Sequence, residues 1–513
     1  MAISIQTSLY KTLLAENFVQ ETINNDYYLF ASINDVALNT LESQSDIIEK
    51  AIFGKAVDQV VYMIKDNRWT TGTVYPVYAP DANIAASLHY MVTYPADSGA
   101  GNYQVFKCLS NNNGGPSTVV PSYLVSNTSQ VYFTGDGYIW KYMYSISATD
   151  FARYSVFGYI PVNQPSVTPI ADRGVGSILI TNPTSNRGYQ PASGVVKTVF
   201  SDRIILTGNS LSEVANFYNG QIITITSPSG VSTVYNVIDY SYSVPFAEAT
   251  IFIQETISGL IVSGHTFRIT PRILIEGDGA GAIAVPYFEN GSLRRVVMIS
   301  EGTGYTRARA TVVRPALGFN PETQVGLQED ALLEVALSPV GGHGSNVRRE
   351  LGCKNLLVYT KIEEIDNNNI QQSGSFESVA LVRNPQFRTP VTNAFDNRLR
   401  LTLTGTSGLA VGQEVYQLNG SSQEVFRGVV QQITGNDVYI IDYNRFYPNT
   451  LYADISLVPT FSLINENNQI FAINTVTLPA YLQKTGEMIY SASVDEIVRT
   501  STSREEFKIM LNF

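Results

Sequence analysis

The chain has 513 residues, which exceeds the size of about 250–300 residues at which a single hydrophobic core usually stops growing. About two to four domains are therefore expected. Apolar residues make up 44% of the sequence and charged residues 15%, a composition that excludes an intrinsically disordered chain. The net charge of -11, without any run of basic residues, argues against a nucleic-acid-binding surface.

The cysteines and the N-terminal stretch indicate the compartment in which the chain is made. Cys108 and Cys353 lie in apolar stretches without neighbouring metal ligands, which predicts buried thiols and synthesis in a reducing compartment. Residues 1–18 lack the basic region, apolar core and cleavage site of a signal peptide. Because no run of about 18 apolar residues occurs, no membrane-spanning segment is expected.

The first 165 residues predict an α+β segment. Apolar residues at helical spacing over 5–18 predict a helix, with Thr7 or Ser8 as its cap and Asn24–Asp26 as its end. The next predicted elements are a buried strand over 27–33, a helix over 44–52, and strands over 57–65, 93–110 and 136–147.

Two later segments predict all-β modules. Over 172–315 no amphipathic helix pattern occurs, and turn signals recur about every 8–12 residues. Within it, a strand, a glycine turn and a tyrosine follow one another twice, ending at Tyr189 and at Tyr305, which predicts a repeated β-hairpin element. The strands over 397–458 have the lengths typical of a small barrel or sandwich.

The C-terminal segment predicts two strands, one over 486–492 and one over 507–513 in which apolar residues alternate. The predicted fold class is therefore mainly β with a few helices. It is a multidomain α+β core of antiparallel, β-sandwich-like sheets that carries inserted small all-β barrel or sandwich domains.

A glycine-rich loop is the first candidate for chemistry. Gly277–Gly281 follows a predicted strand and superficially resembles a phosphate-binding loop. Such a loop needs a helix after it, so that free backbone N–H groups face the phosphate. Because the strand-like sequence AIAVPYF follows instead, we interpret this loop as a glycine-rich hairpin turn.

The histidines and carboxylates predict no catalytic or metal centre. His343 lies near Ser345, but the strand–turn–helix elbow of a serine nucleophile is absent, so we interpret it as a structural histidine in a demanding loop. Glu363 and Glu364 are adjacent and cannot face one cleft together. The segment Asp366–Asn369 lacks the glycine and glutamate of a calcium loop. We therefore expect no enzyme activity and no cofactor.

Four motifs in a fixed order carry a resemblance to a known family. They are YQVFKCL over 103–109, GDGYIWKYMY over 135–144, TGEMIY over 485–490 and FKIMLNF over 507–513. In this order they resemble the baseplate wedge subunit of T-even-type contractile-tailed phages, the dimeric component of the upper wedge. Weaker matches are NRW over 67–69, followed by Tyr75, and SVALVRNP over 378–385.

The resemblance points to a set of motif residues with a structural or interface role, namely Trp69, Cys108, Gly135, Asp136, Gly137, Tyr138, Trp140, Gly486, Glu487 and Tyr490. Gly135 and Gly137 are expected to allow a tight turn. The aromatic face formed by Tyr138, Trp140 and Tyr142 is expected to be core rather than partner surface.

The resemblance implies a homodimer that holds wedge proteins together and relays the conformational change that triggers sheath contraction. Its partners are the other wedge proteins of the same phage, with no nucleic acid, no membrane span and no small-molecule substrate. Its place is the tail baseplate of the virion, after synthesis in the host cytoplasm. The predicted domains are an N-terminal core part (1–170), an all-β insertion (171–325), a core continuation (326–390), a small β-barrel or sandwich insertion (391–477) and C-terminal core strands (478–513).

Two other functions remain open from the sequence. The Tyr-, Asn- and Thr-rich β insertions also suit a receptor- or glycan-binding tail adhesin, which would present exposed aromatic platforms. A tail-associated hydrolase would need two carboxylates about 5–10 Å apart in a cleft, and the acidic residues are too scattered to favour it.

Overall fold

The fold was described from a computed structural model, and the predicted mainly-β class is confirmed, with 53% strand and 8% helix. Antiparallel sheets, including a closed six-stranded barrel, form most of it. The structure describes residues 8–32, 51–79, 88–123, 130–163, 169–170, 172–189, 191–208, 211–257, 259, 261–313, 329–363, 366, 370, 374–391, 393–441, 462–482, 485–500 and 502–513.

The helices of the described residues are few and mostly short. They are α1 (Ser8–Asn24), α2 (Pro95–Ser98), α3 (Ala148–Tyr154) and α4 (Val347–Glu350), with a 3₁₀ turn over Val244–Phe246. The predicted first helix is confirmed and ends at Asn24 as expected, whereas Thr7 lies outside the described residues.

Two predictions in the N-terminal part are wrong in detail. For the helix over 44–52, residues 44–50 lie outside the described residues, but Ala51 and Ile52 belong to a strand, in which Ala51 is paired with Ser32 of the preceding buried strand. The strand predicted over 93–110 begins only at Tyr103. Before it, Pro95 starts α2 and Gly99, with φ of 69°, ends it, as proline and glycine typically do at helix ends.

The strands up to the barrel are β1 (Tyr27–Ser32), β2 (Ala51–Ala56), β3 (Gln59–Lys65), β4 (Tyr90–Thr93), β5 (Tyr103–Asn111), β6 (Val131–Phe133), β7 (Tyr138–Ile146), β8 (Tyr159–Pro161) and β9 (Val175–Ile180). The strands of the middle are β10 (Ala192–Val199), β11 (Arg203–Thr207), β12 (Ile222–Thr226), β13 (Ser232–Ser243), β14 (Glu248–Ile253), β15 (Thr266–Thr270), β16 (Arg272–Gly277), β17 (Ala280–Glu289), β18 (Ser292–Thr303), β19 (Ala308–Val313) and β20 (Leu333–Leu337).

The remaining strands are β21 (Asn355–Ile362), β22 (Gly374–Arg383), β23 (Ala394–Asp396), β24 (Leu399–Leu403), β25 (Glu414–Leu418), β26 (Glu424–Thr434), β27 (Asp437–Ile441), β28 (Leu463–Asn465), β29 (Ile470–Phe471), β30 (Ile473–Thr477), β31 (Glu487–Arg499) and β32 (Glu505–Asn512). The strands predicted over 27–33, 57–65, 136–147 and within 397–458 all have counterparts among the described strands.

The chain divides into two compact units. Unit 1 comprises Met1–Thr12 and Ile64–Cys353, and unit 2 comprises Leu13–Met63 and Lys354–Phe513. Unit 2 is therefore built from two chain segments that are distant in sequence. The domain boundaries predicted from the sequence stay a prediction.

Unit 1 contains a four-stranded sheet, a closed barrel and three two-stranded ladders. The four-stranded sheet has the order β4-β5-β7-β6. The ladders are β9–β20, β16–β19 and β17–β18, and they share one hydrophobic core. Tyr189 and Tyr305 both lie in this core, but the predicted hairpin repeat is wrong, because β9 pairs with the distant β20. The hairpin turn predicted at Gly277–Gly281 is also wrong, because the strands on its two sides pair with different partners, β19 and β18.

The barrel closes in the order β10-β11-β14-β13-β12-β15. In β11 and β14, buried positions alternate with partly buried ones, as expected for a filled barrel. The side chains that fill it include Ile204, Leu206, Ile223, Ile225, Tyr240, Ile251 and Ile269. In the described residues of 172–315 the 3₁₀ turn is the only helical element, which confirms the predicted all-β character.

Unit 2 contains long antiparallel sheets. One has the order β23-β2-β1-β22-β31, and another, of seven strands, has the order β29-β28-β25-β26-β27-β24-β30. In a third, β21 lies between β3 and β32. The predicted alternation of the last strand is confirmed, because Phe507 and Ile509 are buried whereas Glu506 is exposed. Among the described residues, no helix combines the length and apolar character needed to cross a bilayer.

The barrel predicts a strict need for glycine at position 194. A Cβ at Gly194 would lie 2.1 Å from the carbonyl oxygen of Thr207 on the neighbouring strand. We therefore expect Gly194→Ala to push β10 from β11 and to lower the free energy of unfolding by about 1–3 kcal/mol. Gly259→Ala, which adds a Cβ into open space, is the matched control. Calorimetric unfolding of both variants checks this, and equal transition temperatures would contradict it.

Candidate functional site

The motif residues of unit 1 lie on the central strands of the four-stranded sheet. Cys108 on β5 is paired with Trp140 on β7, and both are fully buried. The next pair along these strands is Lys107 and Lys141, which are also fully buried. Because neighbouring residues of a strand point to opposite faces, the sheet is buried on both faces. We call these the aromatic face and the lysine face.

The aromatic face is formed by rings in direct contact. Tyr138 is stacked on Trp140, with ring centroids 5.1 Å apart, and Tyr75 meets Trp140 edge-on at 5.4 Å. The Tyr138 hydroxyl donates to the carbonyl of Gly115 (2.7 Å) and accepts from the backbone N–H of Tyr75 (3.2 Å). These rings therefore belong to the core of unit 1.

Asp136 anchors the loop that covers the aromatic face. Its carboxylate accepts hydrogen bonds from the backbone N–H groups of Thr118 (2.7 Å) and Val119 (2.9 Å) and from the hydroxyl of Thr134 (2.5 Å). Partial burial raises the pKa of Asp136, but these bonds outweigh it and hold the pKa below its ordinary value. The carboxylate thus stays charged and fixes the loop.

The two motif glycines differ. Gly137 has φ of 85°, and a Cβ there would lie 2.7 Å from the side chain of Asn112, so the tight turn requires glycine at this position. Gly135 is exposed, has open space around its Cα and does not adopt a positive φ. The tight-turn expectation therefore has a structural counterpart only at Gly137.

Trp69 lies in the same network. Its backbone N–H donates to the carbonyl of Val92 (2.8 Å), and its indole Nε1 donates to the hydroxyl of Ser117 (3.1 Å). Ser117 in turn donates to the carboxylate of Asp136 (3.3 Å). The structure thus brings together motif residues that are far apart in the chain.

The motif residues of unit 2 form a separate set. Gly486 has φ of 76°, and a Cβ there would lie 2.8 Å from the carbonyl oxygen of Arg383. Glu487 forms an ion pair with Arg383, and Tyr490, which is partly exposed, is paired with Leu381. The C-terminal motif therefore pairs with β22, the strand that carries the weaker motif over 378–385.

Sequence reasoning missed the lysine face. The ammonium of Lys107 forms an ion pair with Glu350, donates to Nδ1 of His343 (2.7 Å) and lies 4.1 Å from the centroid of the Tyr78 ring. Lys107, His343 and Glu350 are all at most 2% exposed. The available signal was a lysine in the middle of an apolar strand, which requires a buried counter-charge.

Glu350 and His343 also fix the segment over 341–350, here called the covering segment, which covers this face. The Glu350 carboxylate accepts from the backbone N–H groups of Gly344 (2.9 Å) and Asn346 (3.1 Å). His89, the second histidine of unit 1 in contact with this segment, approaches the Glu350 carbonyl oxygen at 2.8 Å. Burial, followed by repulsion from the two lysines of the face, holds the pKa of His343 well below its ordinary value. The neutral ring can therefore accept a hydrogen bond from Lys107.

The loop predicted around His343 has the demanding backbone expected for it. Gly341, Gly342 and Gly344 all have positive φ values, between 83° and 95°. A Cβ at Gly342 would lie 2.4 Å from the carbonyl oxygen of Ile170. The backbone of His343 is paired with the same residue, since its N–H donates to Ile170 (2.7 Å).

Two further titratable groups of the lysine face, Lys141 and Glu301, have shifted pKa values. Burial, followed by repulsion from Lys107, lowers the pKa of Lys141 to about 8. Burial raises the pKa of Glu301 to about 7, although Ser338, which donates to it at 3.1 Å, and Lys107 lower it. The cluster therefore holds a lysine and a glutamate whose charges change near neutral pH.

The geometry of the lysine face fits a structural role, in which Lys107 and Glu350 hold the covering segment on the sheet. The charged atoms of Lys107 and Glu350 bond to each other and to the covering segment, so their contacts are made within unit 1. In the part of the chain that the structure describes, no group of three His, Cys, Asp or Glu residues could hold a metal ion. The side chains of Cys108 and Cys353 are fully buried, as the sequence predicted.

Comparison with known proteins adds no assignment. No protein-family model matches the sequence, and no curated protein is significantly similar to it.

The buried ion pair predicts a large effect of removing one partner. Lys107→Met leaves the Glu350 charge buried without its cation, so we expect the free energy of unfolding to fall by about 3–5 kcal/mol. The double variant Lys107→Met with Glu350→Gln should recover part of this loss, because the amide oxygen still accepts backbone N–H groups.

Lys197→Met is the matched control, since the Lys197 side chain is 51% exposed and its pair with Glu248 should contribute about 0–1 kcal/mol. Calorimetry combined with hydrogen exchange of the β5 amides measures both. Equal losses in the two lysine variants would contradict the prediction.

Glu301 predicts a pH dependence of stability. Its ordinary pKa is 4.5 and its folded-state pKa about 7, so the folded state binds more protons than the unfolded state between these values. The free energy of unfolding should therefore fall as the pH rises from about 4.5 through 7. Glu301→Gln should remove this contribution. Thermal unfolding of both proteins at several pH values checks this, and a constant difference across the window would contradict it.

Proposed function

We propose that this chain is a structural component of a contractile phage tail baseplate wedge. It holds wedge proteins together and relays the conformational change that triggers sheath contraction. The observation that carries the proposal is the order of the four motifs, from YQVFKCL to FKIMLNF, which resembles the order in the wedge family. The proposed place of action is the virion baseplate, after synthesis in the host cytoplasm.

The contacts of the motif residues support a structural role for them. Asp136, Ser117 and Trp69 form one hydrogen-bonded chain, and Tyr138 and Trp140 stack beneath the loop that this chain fixes. Such residue types are needed at these positions to build the sheet and its cover. The proposal requires no cofactor and no small-molecule substrate.

Exposed apolar side chains near the four-stranded sheet β4-β5-β7-β6, here called the motif sheet, supply candidate contacts for partners. Phe133, at the end of β6, is 72% exposed, and Phe157, in the turn after α3, is 81% exposed. Aromatic side chains are enriched in protein–protein interfaces. The proposed partners are a second copy of the chain and the other wedge proteins of the same phage.

The barrel gives the adhesin alternative little support. Tyr218, Tyr235 and Tyr240 are buried in its core, so these rings form no exposed platform for a sugar. Glycan binding is therefore kept as an outcome of the following test.

The tagged full-length chain should be a dimer by light scattering and should capture other baseplate proteins of the same genome. Because the motif sheet belongs to the segment that resembles the family, Phe133→Ser with Phe157→Ser should weaken capture about tenfold, a loss of about 1.4 kcal/mol. The control is Val231→Ser with Val262→Ser, two exposed residues of the barrel region. A trimer or monomer that ignores these proteins and binds host glycans would contradict the proposal.

A further inference from the structure

A third buried lysine, in unit 2, has an unusual set of neighbours. Lys55 on β2 is 5% exposed and its ammonium lies 2.7 Å from Oδ2 of Asp366. The other oxygen of the same carboxylate, Oδ1, accepts a hydrogen bond from the side-chain amide of Asn393 (2.9 Å). An amine and a carboxamide are thus bonded to the two oxygens of one carboxylate.

The backbone holds these groups in register. Lys55 is paired with Ala394 on β23, and the N–H of Ala56 donates to the carbonyl of Asn393 (3.0 Å). Asp366 is 1% exposed and also accepts from the backbone N–H of Glu363 (2.9 Å). Lys55 therefore lies on β2 and Asn393 directly before the neighbouring strand β23, with the carboxylate fixed beside both.

We propose that Lys55 and Asn393 react with each other to form an intramolecular isopeptide bond, with Asp366 transferring the protons. Burial favours the reaction, because separated charges are costly in a low-dielectric interior and a proton can pass from the Lys55 ammonium to the Asp366 carboxylate across their hydrogen bond. This transfer produces at once a neutral amine, which is the nucleophile, and a carboxylic acid, which is the proton donor.

The reaction is balanced without any external reagent. Nζ of Lys55, brought within about 3–3.5 Å by rotation of its own side chain, attacks Cγ of Asn393 and forms the new C–N bond. The bond from Cγ to Nδ2 breaks as Asp366 gives its proton to Nδ2, which leaves as ammonia. Asp366, again a carboxylate, takes the proton that Nζ loses when the amide forms, and the departing ammonia accepts this proton and leaves as ammonium. Asn393 is exposed and directly precedes β23, the edge strand of its sheet, so the released ammonium can escape to water.

The bond would join the two chain segments from which unit 2 is built. Lys55 belongs to Leu13–Met63 and Asn393 to Lys354–Phe513. A covalent link between them would restrict the unfolded chain and prevent the two segments from separating under load. This inference is independent of the proposed function.

The intact mass of the purified full chain tests the proposal. We expect a mass lower than that of the sequence by one molecule of ammonia, and this loss should be absent in Lys55→Arg and in Asp366→Ala. The Lys55→Arg variant also separates the proposal from succinimide formation at an Asn–Gly step such as Asn290–Gly291, which would persist without Lys55.

Tryptic digestion then locates the bond. We expect one branched product in which the peptide 51–65, uncut after Lys55, is joined to the peptide 389–398. Lys107 serves as an internal control, because the Glu350 carboxylate beside it accepts backbone N–H groups, and it should remain unlinked. A wild-type mass equal to that of the sequence, or a loss of ammonia that survives in Lys55→Arg, would overturn the proposal.

Discussion

The ion pair between Lys107 and Glu350 is the constraint on which much of unit 1 depends. Burying each of these charges costs several kcal/mol of desolvation free energy. The attraction between the charges offsets this cost only when they lie close together and their remaining donors and acceptors are hydrogen-bonded. Here the Lys107 ammonium also lies over the Tyr78 ring and donates to His343. The Glu350 carboxylate also accepts from two backbone N–H groups. If the covering segment left the sheet, it would therefore separate the Glu350 carboxylate from the Lys107 ammonium that balances its charge.

The aromatic face shows the complementary solution. There the sheet buries rings, whose area removed from water stabilises the packing directly, and the hydroxyls of Tyr138 and Tyr75 are hydrogen-bonded to backbone groups. The charged group lies at the edge of this face, where the Asp136 carboxylate accepts hydrogen bonds from backbone N–H groups of the loop that covers it. One sheet is thus covered by two loops, one fixed by a buried charge pair and the other by a half-buried carboxylate.

The sequence was informative where a pattern is local. The alternation of Phe507 and Ile509, the aromatic strand around Trp140 and the glycine-rich loop around His343 could each be predicted from neighbouring residues. The partner of Lys107 could not, because Glu350 lies 243 residues away and its own sequence neighbours give no sign of burial. The pairing of β9 could not be predicted for the same reason, because its partner β20 follows in the sequence only after all strands of the barrel.

The closed barrel has a consequence for how copies of this chain behave when they are crowded. An open sheet presents a row of free N–H and C=O groups at its edge, which can add a strand from a neighbouring molecule and start aggregation. Each strand of the barrel has a partner on both sides, so it offers no such row. Many copies of such a barrel can therefore lie close together without pairing strand to strand.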